Sequence, residues 1–434
     1  MDLILQQRRT PARDKKELLG LLFLGLAYFL WPYYDAPSLL LFGKLLLIPL
    51  FFLYLPYFQF PTSWSTRLLI LGGLGFLSLA YLSCFWSPAP VRTFKHVTEE
   101  VLLNLTSFGA AAFWAAKASE KSLNSLFKLA FLSFLWVLGL YVFFFLWWHF
   151  TGTPLFPLDH GPKGPVPTQR LFFFLPDIHD VILNRQNFAS YLLFPASMAL
   201  AYLITASSRK DFLKGLFWCF LFVGFIFVTA KRSALLGIFT GSFLGALLSH
   251  RYRALIGIFL LVVIIASLVF FTPLKRYFIR ENFRLFFSGN KKDWARAGSI
   301  PVRYYGLPFY LRYIAQHPLR GIGFGRSNIK LNPEVLALAK KAHIIHAHNV
   351  WVNFALYLGL PGLMFFLLFL GAKGFVFWQG FSRAGPLCWL LLGFVIYLVA
   401  FWIRYQFDDS FRYATSALYF LNTGLGVGLS LRQK

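Results

Sequence analysis

The sequence predicts an all-α protein that threads a membrane about twelve times, with one large loop late in the chain. Three observations carry that expectation. Of its 434 residues, 58% are hydrophobic and 13% charged, where a soluble domain carries nearly twice that charge, and mean hydropathy is +0.62. Apolar runs of about 20 residues, the length that crosses a bilayer as a helix, recur from end to end. The formal charge of +26 is concentrated in the links between those runs, and every second link is basic, which orients spans with their positive ends inside.

In chain order, the stretch from Gln6 to Lys16 carries Arg8, Arg9, Arg13, Lys15 and Lys16 with no small-residue cleavage site behind it, and reads as a retained cytoplasmic flank. Spans are then expected near 18–34, 38–57, 67–86, 100–118, 125–149, 187–205, 212–230, 234–250, 254–272, 350–371, 386–405 and 412–431. The inside links hold, at or near their edges, Arg67; Lys117 and Lys121; Arg209, Lys210 and Lys214; Arg251 and Arg253; Lys373 and Arg383; then Arg432 and Lys434. Both termini are therefore expected on the cytoplasmic side. The chain divides into spans 1–9 (residues 1–272), a basic loop (273–347) and spans 10–12 (348–434). Cys84, Cys219 and Cys388 all fall within apolar runs, as small core residues do, so neither a disulfide framework nor a cysteine metal site is indicated.

Three outward segments stand out. Residues 86–99 form a modest loop, and 151–186 is rich in proline and glycine and ordered by turns. The third, 273–347, holds 14 Lys and Arg against Glu281, Asp293 and Glu334, a net of +11. Positive charge is normally sparse on that face, so topology does not explain it. The stretches 275–287 and 302–317 mix aromatics and arginines at helical spacing, as helices lying in a headgroup layer do. The same charge also suits a phosphate-bearing substrate. A twelve-span lipid or solute transporter is the alternative of a different class. It would place its long link centrally and on the cytoplasmic face, which this chain does not.

Titratable chemistry is densest at His343, His346 and His348, just before Asn349 and the tenth span. A histidine can accept a proton near neutral pH. The spacing also permits zinc, but acidic partners are scarce nearby, so no metal and no other cofactor is expected. Arg185, at the start of the sixth span, and Lys231 with Arg232, in the tight hairpin between the seventh and eighth, are held near membrane depth. Cations so placed are functional candidates, and the arginine fork matches phosphate oxygens. Asp177, Asp180, Asp408 and Asp409 are outward candidates for a helper or a metal, without an assigned role. A diphosphate leaves readily once cations neutralise it, so one base and some arginines suffice.

Three motifs resemble those of the bacterial O-antigen ligases, in the superfamily that also holds O-antigen polymerases and protein O-oligosaccharyltransferases. His348 and Asn349 are followed, after nine intervening residues, by Gly359, the segment 313–328 reads YIAQHPLRGIGFGRSN, and 228–237 reads VTAKRSALLG, with Lys231 where serine is frequent. The resemblance covers roughly residues 184–362. It implies a metal-independent, inverting glycosyltransferase of the GT-C type in the bacterial inner membrane, moving a glycan from undecaprenyl diphosphate to lipid A–core at the periplasmic face. His348 matches the essential base and Arg232 and Arg185 the diphosphate-binding arginines. Lys231, His346, Asn349, Arg320 and Arg326 are assigned support. Partners are the lipid-linked donor, the lipid A–core acceptor and membrane lipid, with no nucleic acid. A polymerase or a protein glycosyltransferase remains the alternative within the superfamily.

Overall fold

The computed structural model describes residues 11–32, 37–58, 63–151, 185–229, 231–271, 299–342, 346–382, 388–407 and 413–432. Among them the secondary structure is helical without strands. The helices are α1 (Pro11–Leu30), α2 (Pro37–Tyr54), α3 (Trp64–Leu82), α4 (Pro90–Val97), α5 (Leu103–Lys117), α6 (Glu120–Thr151), α7 (Arg185–Thr205) and α8 (Arg209–Val228). They continue as α9 (Arg232–Leu248), α10 (Tyr252–Phe271), α11 (Ser299–Gln316), α12 (Ser327–Leu331), α13 (Pro333–Ala342), α14 (Val350–Phe381), α15 (Cys388–Tyr405) and α16 (Tyr413–Leu431). A helix stands at each of the twelve expected spans. Among the described residues, six are long and apolar enough to cross a membrane on their own, drawn from α2, α3, α6, α7, α14 and α15. The described part of α9 and α10 supplies two shorter apolar runs.

The links sort to two ends of the bundle. At one end Lys16 Nζ donates to the Tyr57 hydroxyl at 2.7 Å, the Ser119 amide donates to Glu17 at 2.6 Å, and Ser65 Oγ donates to Gln379 at 3.0 Å. At the other, Ser83 meets Phe324 and Asn104 meets Ser416. These are the alternations that the basic links predicted. One of those basic residues does not belong there. Lys373 was expected in an inside link, but α14 runs on to Phe381 and encloses it completely. Its Nζ donates to the Tyr419 hydroxyl at 2.6 Å and lies 4.2 Å from the Phe369 ring centre, so ring faces and a phenol replace water around the charge.

Where helices meet closely, small residues allow it. On α9, Gly237, Gly241 and Gly245 recur at one-turn spacing and face α15; a Cβ on Gly237 would lie 2.3 Å from the Ala400 carbonyl oxygen and one on Gly241 2.6 Å from that of Ile396. Lipid offers no hydrophobic drive between helices, so such close backbone packing supplies the association. Gly241→Val is expected to force α9 off α15 and to destabilise the protein by about 1–3 kcal/mol, seen as a lower midpoint in detergent melting.

Helix α11 confirms a helix within 302–317 but corrects its setting. Tyr310, Tyr313 and Ile314 are buried against α13 and α14, so protein, not lipid alone, covers that face. Tyr304, 65% exposed, and Leu311, 47% exposed, mark the other. Burial holds the Tyr310 phenol above its ordinary pKa, and the nearby Arg326 charge opposes that rise. The stretch 275–287 lies outside the described residues.

Candidate active site

Helix α14 breaks at Gly359, whose φ of +74° and ψ of −178° lie outside the helical region. The break leaves carbonyls without donors. Pro361 has no N–H to give the Tyr357 carbonyl, and the Leu360 amide turns away to Pro318 O at 2.8 Å. Both orphans are taken by one incoming segment: Ile322 N donates to Leu356 O and Gly323 N to Tyr357 O, each at 3.0 Å. Only glycine permits the approach, since a Cβ on Gly321 would lie 2.1 Å from Leu356 O and one on Gly359 2.7 Å from the Leu319 carbonyl carbon. The 318–325 segment and the glycine following His348 and Asn349 are therefore two halves of one joint.

The same segment draws α4 in. Phe324 N donates to Ser83 Oγ at 3.0 Å, and Asn328 Nδ2 donates to Thr93 Oγ1 at 2.9 Å. Beyond it, Arg326 donates through Nη2 to His346 Nδ1. A guanidinium has no lone pair to offer, so Nδ1 must be the bare acceptor and the neutral His346 carries its proton on Nε2. The His346 and His348 ring centres are 4.0 Å apart at 50°.

His348 itself has φ of +51°, a left-handed conformation that costs an L-residue roughly 1–2 kcal/mol. Its neighbours hold it there. The Ala347 amide donates to Asn353 Oδ1 at 3.3 Å. Asn349 caps α14, accepting from the amides of Trp351 at 3.0 Å and Val352 at 3.1 Å. An Asn cap of this kind is worth about 1 kcal/mol. Asn349 thus acts through backbone geometry, and its Nδ2 reaches across to Gln406 Oε1 at 3.0 Å.

Next along α15, Arg404 is fully buried. Its Nε donates to Ser190 Oγ at 2.5 Å and its Nη1 to Ser233 Oγ at 3.2 Å, while the Tyr405 hydroxyl bonds Ser190 at 3.1 Å. Ser233 follows Arg232 at the start of α9, and Ser190 lies on the second turn of α7, which Arg185 opens. One set of side chains therefore gathers the starts of α7, α9 and α14 at the end of α15. Arg232 and Lys231 are half-buried there. For Arg185 the backbone is described and the side chain lies outside the described residues, as do His343, Asp177, Asp180, Asp408 and Asp409. Arg320 is exposed and stays outside the cluster. Arg404 was missed in the sequence, although an arginine ending an apolar run is a signal in itself.

A cavity of about 540 Å³ opens beside Arg326, lined also by Arg92, His96, Glu100, Lys330 and Phe354. Nothing in the sequence marked residues 86–99 as more than a loop, yet they supply two of these side chains. Just after α4 the chain widens into a π-turn over Thr98–Leu102, a feature that recurs at functional sites. It places Glu100 Oε1 3.4 Å from His96 Nδ1. Lys44, buried in α2, donates to the Glu99 carbonyl of that turn at 2.8 Å. Among the described residues no three His, Cys, Asp or Glu gather as a metal site.

No curated protein matches this chain. Residues 216–367, which run from α8 through the joint at Gly359, match the family model described as O-antigen ligase. That stretch of the chain is therefore similar to the O-antigen ligase family over about a third of its length.

Proposed function

We propose that the protein is an O-antigen ligase of the bacterial inner membrane, transferring a glycan from undecaprenyl diphosphate to a sugar hydroxyl of lipid A–core at the periplasmic face. The twelve helices at the expected spans all cross the membrane, in a GT-C-type arrangement. Both termini are cytoplasmic, and the loop 273–347 stands between spans 1–9 and spans 10–12. The observation that carries the reading is the gathering of helix starts by Arg404 and Gln406, which sets Arg232 and the start of α7 at one end with His348.

The chemistry is a single displacement. His348 takes the proton of the acceptor hydroxyl, whose oxygen attacks the anomeric carbon of the donor. The bond from that carbon to the diphosphate oxygen breaks, and its electron pair leaves with the diphosphate, inverting the anomeric centre. Arg185 and Arg232 hold the departing charge, helped by the partial positive charge at the helix starts they occupy. Lys231 adds charge, while His346, Asn349 and Arg326 hold His348 in place. Arg320 and Lys330 assist or bind phosphates of the acceptor. The reaction asks for no metal.

Arg232→Ala is expected to lower transfer about 10²–10³-fold, the usual loss of one transition-state donor. Arg232→Lys recovers only part of it, because a point charge replaces a fork. Initial rates with lipid-linked donor measure both. A strain lacking the protein separates the readings. Polymer lost from lipid A–core but kept at full length on the lipid carrier means ligase, and a single repeat on the core means polymerase. Unchanged lipopolysaccharide with a protein left unglycosylated means the protein acceptor. Function surviving loss of His348 would return the transporter.

A further inference from the structure

We infer that the cavity beside Arg326 is the acceptor subsite and that it selects an acidic glycan, with Arg92 and Lys330 binding the anionic group. The inference rests on the glycosyl-transfer reading above and extends it to residues outside every motif. Position comes first. Arg326 lines the cavity and bonds His346, whose ring packs on His348. The helix starts that carry Arg185 and Arg232 are tied in by a different set of neighbours, with Arg404 bonding Ser190 and Ser233 and Gln406 accepting from Asn349. In an inverting displacement the attacking hydroxyl must meet the base on the face away from the leaving diphosphate, and the cavity offers a separate way in.

Charge gives the ligand class. The lining holds Arg92, Arg326 and Lys330 against Glu100 alone, and Glu100 is already turned toward His96 on its own helical turn. Among the described residues neither Arg92 nor Lys330 has a carboxylate partner. Two exposed cations at the rim of a cavity attract phosphate or carboxylate and discriminate against a neutral sugar.

The floor fits sugar rings. Phe354, Phe366 and Phe76 line it, packed on one another at 4.5 Å and 5.3 Å, an apolar wall against which the C–H side of a hexose can rest. The volume of about 540 Å³ lies within the range of roughly 300–1,000 Å³ typical of small-molecule sites.

The test uses the full-length protein in lipid nanodiscs and the double variant Arg92→Gln/Lys330→Gln. Both positions are exposed, so the fold should survive, and an unchanged melting midpoint confirms it. The probe is lipopolysaccharide core oligosaccharide freed from its lipid, intact or phosphatase-treated. Calorimetry is expected to show Kd for the intact probe rising roughly tenfold or more in the double variant. If phosphate is the anion recognised, treatment weakens wild-type binding and removes the difference between the proteins. If carboxylate is recognised, the difference persists after treatment. In transfer assays the KM for acceptor rises while the KM for lipid-linked donor stays constant. Equal Kd values for the two proteins, or a rise in donor KM, would overturn the assignment. Wild-type protein that binds the probe through these cations yet transfers nothing to core would sink the ligase reading and leave the anionic subsite standing.

Discussion

Replacing His348 with alanine is expected to lower glycan transfer about 10²–10⁴-fold, the range a positioned general base contributes, while lipid-linked donor still binds. The chain holds this histidine at φ of +51°, and strain of that kind persists only where neighbours impose it. Asn353 fixes the residue before it and Asn349 the turn after it. His348→Gln keeps a polar group at the site but cannot take a proton, so it should fall with alanine. His346→Gln should cost less, because its ring acts by packing on His348 and accepting from Arg326. Initial rates over a pH series, with donor affinity measured separately, check the set. Transfer retained in His348→Ala would remove the base from the proposal.

The sequence made the helices legible because twenty-residue apolar runs and alternating basic links are strong, local signals. It also marked His348 and Arg232 as candidates, as polar chemistry at the edges of those runs. What it hid was long-range. Arg404 reads as the last basic residue of an apolar run, and its tie to Ser190 and Ser233 exists only once α7, α9 and α15 pack together. Arg92 and His96 sit in what reads as a modest loop, with Glu100 at the edge of the next expected span, and only the joint at Gly359 brings them beside His346. Lys373 shows the opposite failure. A lysine near the expected end of a run reads as a snorkelling flank, but a helix ten residues longer swallows it into a nest of rings.

The joint itself should be the most sensitive backbone feature of the chain. Gly359→Ala is expected to cost about 1–3 kcal/mol for a conformation that is essentially glycine-only, with a further 1–3 kcal/mol for overpacking against Leu319 and Arg320. Gly321→Ala meets the Leu356 carbonyl oxygen at 2.1 Å, a contact with backbone that no rotamer change relieves. In either variant the 318–325 segment must lift from α14. The carbonyls of Leu356 and Tyr357 lose their donors, and Arg326 moves away from His346. Transfer should therefore fall together with stability, and amide exchange should rise at Ile322 and Gly323 first. Gly139→Ala on α6 is the control, since a Cβ there meets nothing within 4 Å and alanine favours the helix. A Gly359→Ala protein with unchanged exchange at Ile322 and Gly323 would show that the segment does not depend on the break. The link from the glycine motif to the placement of His348 would then be lost.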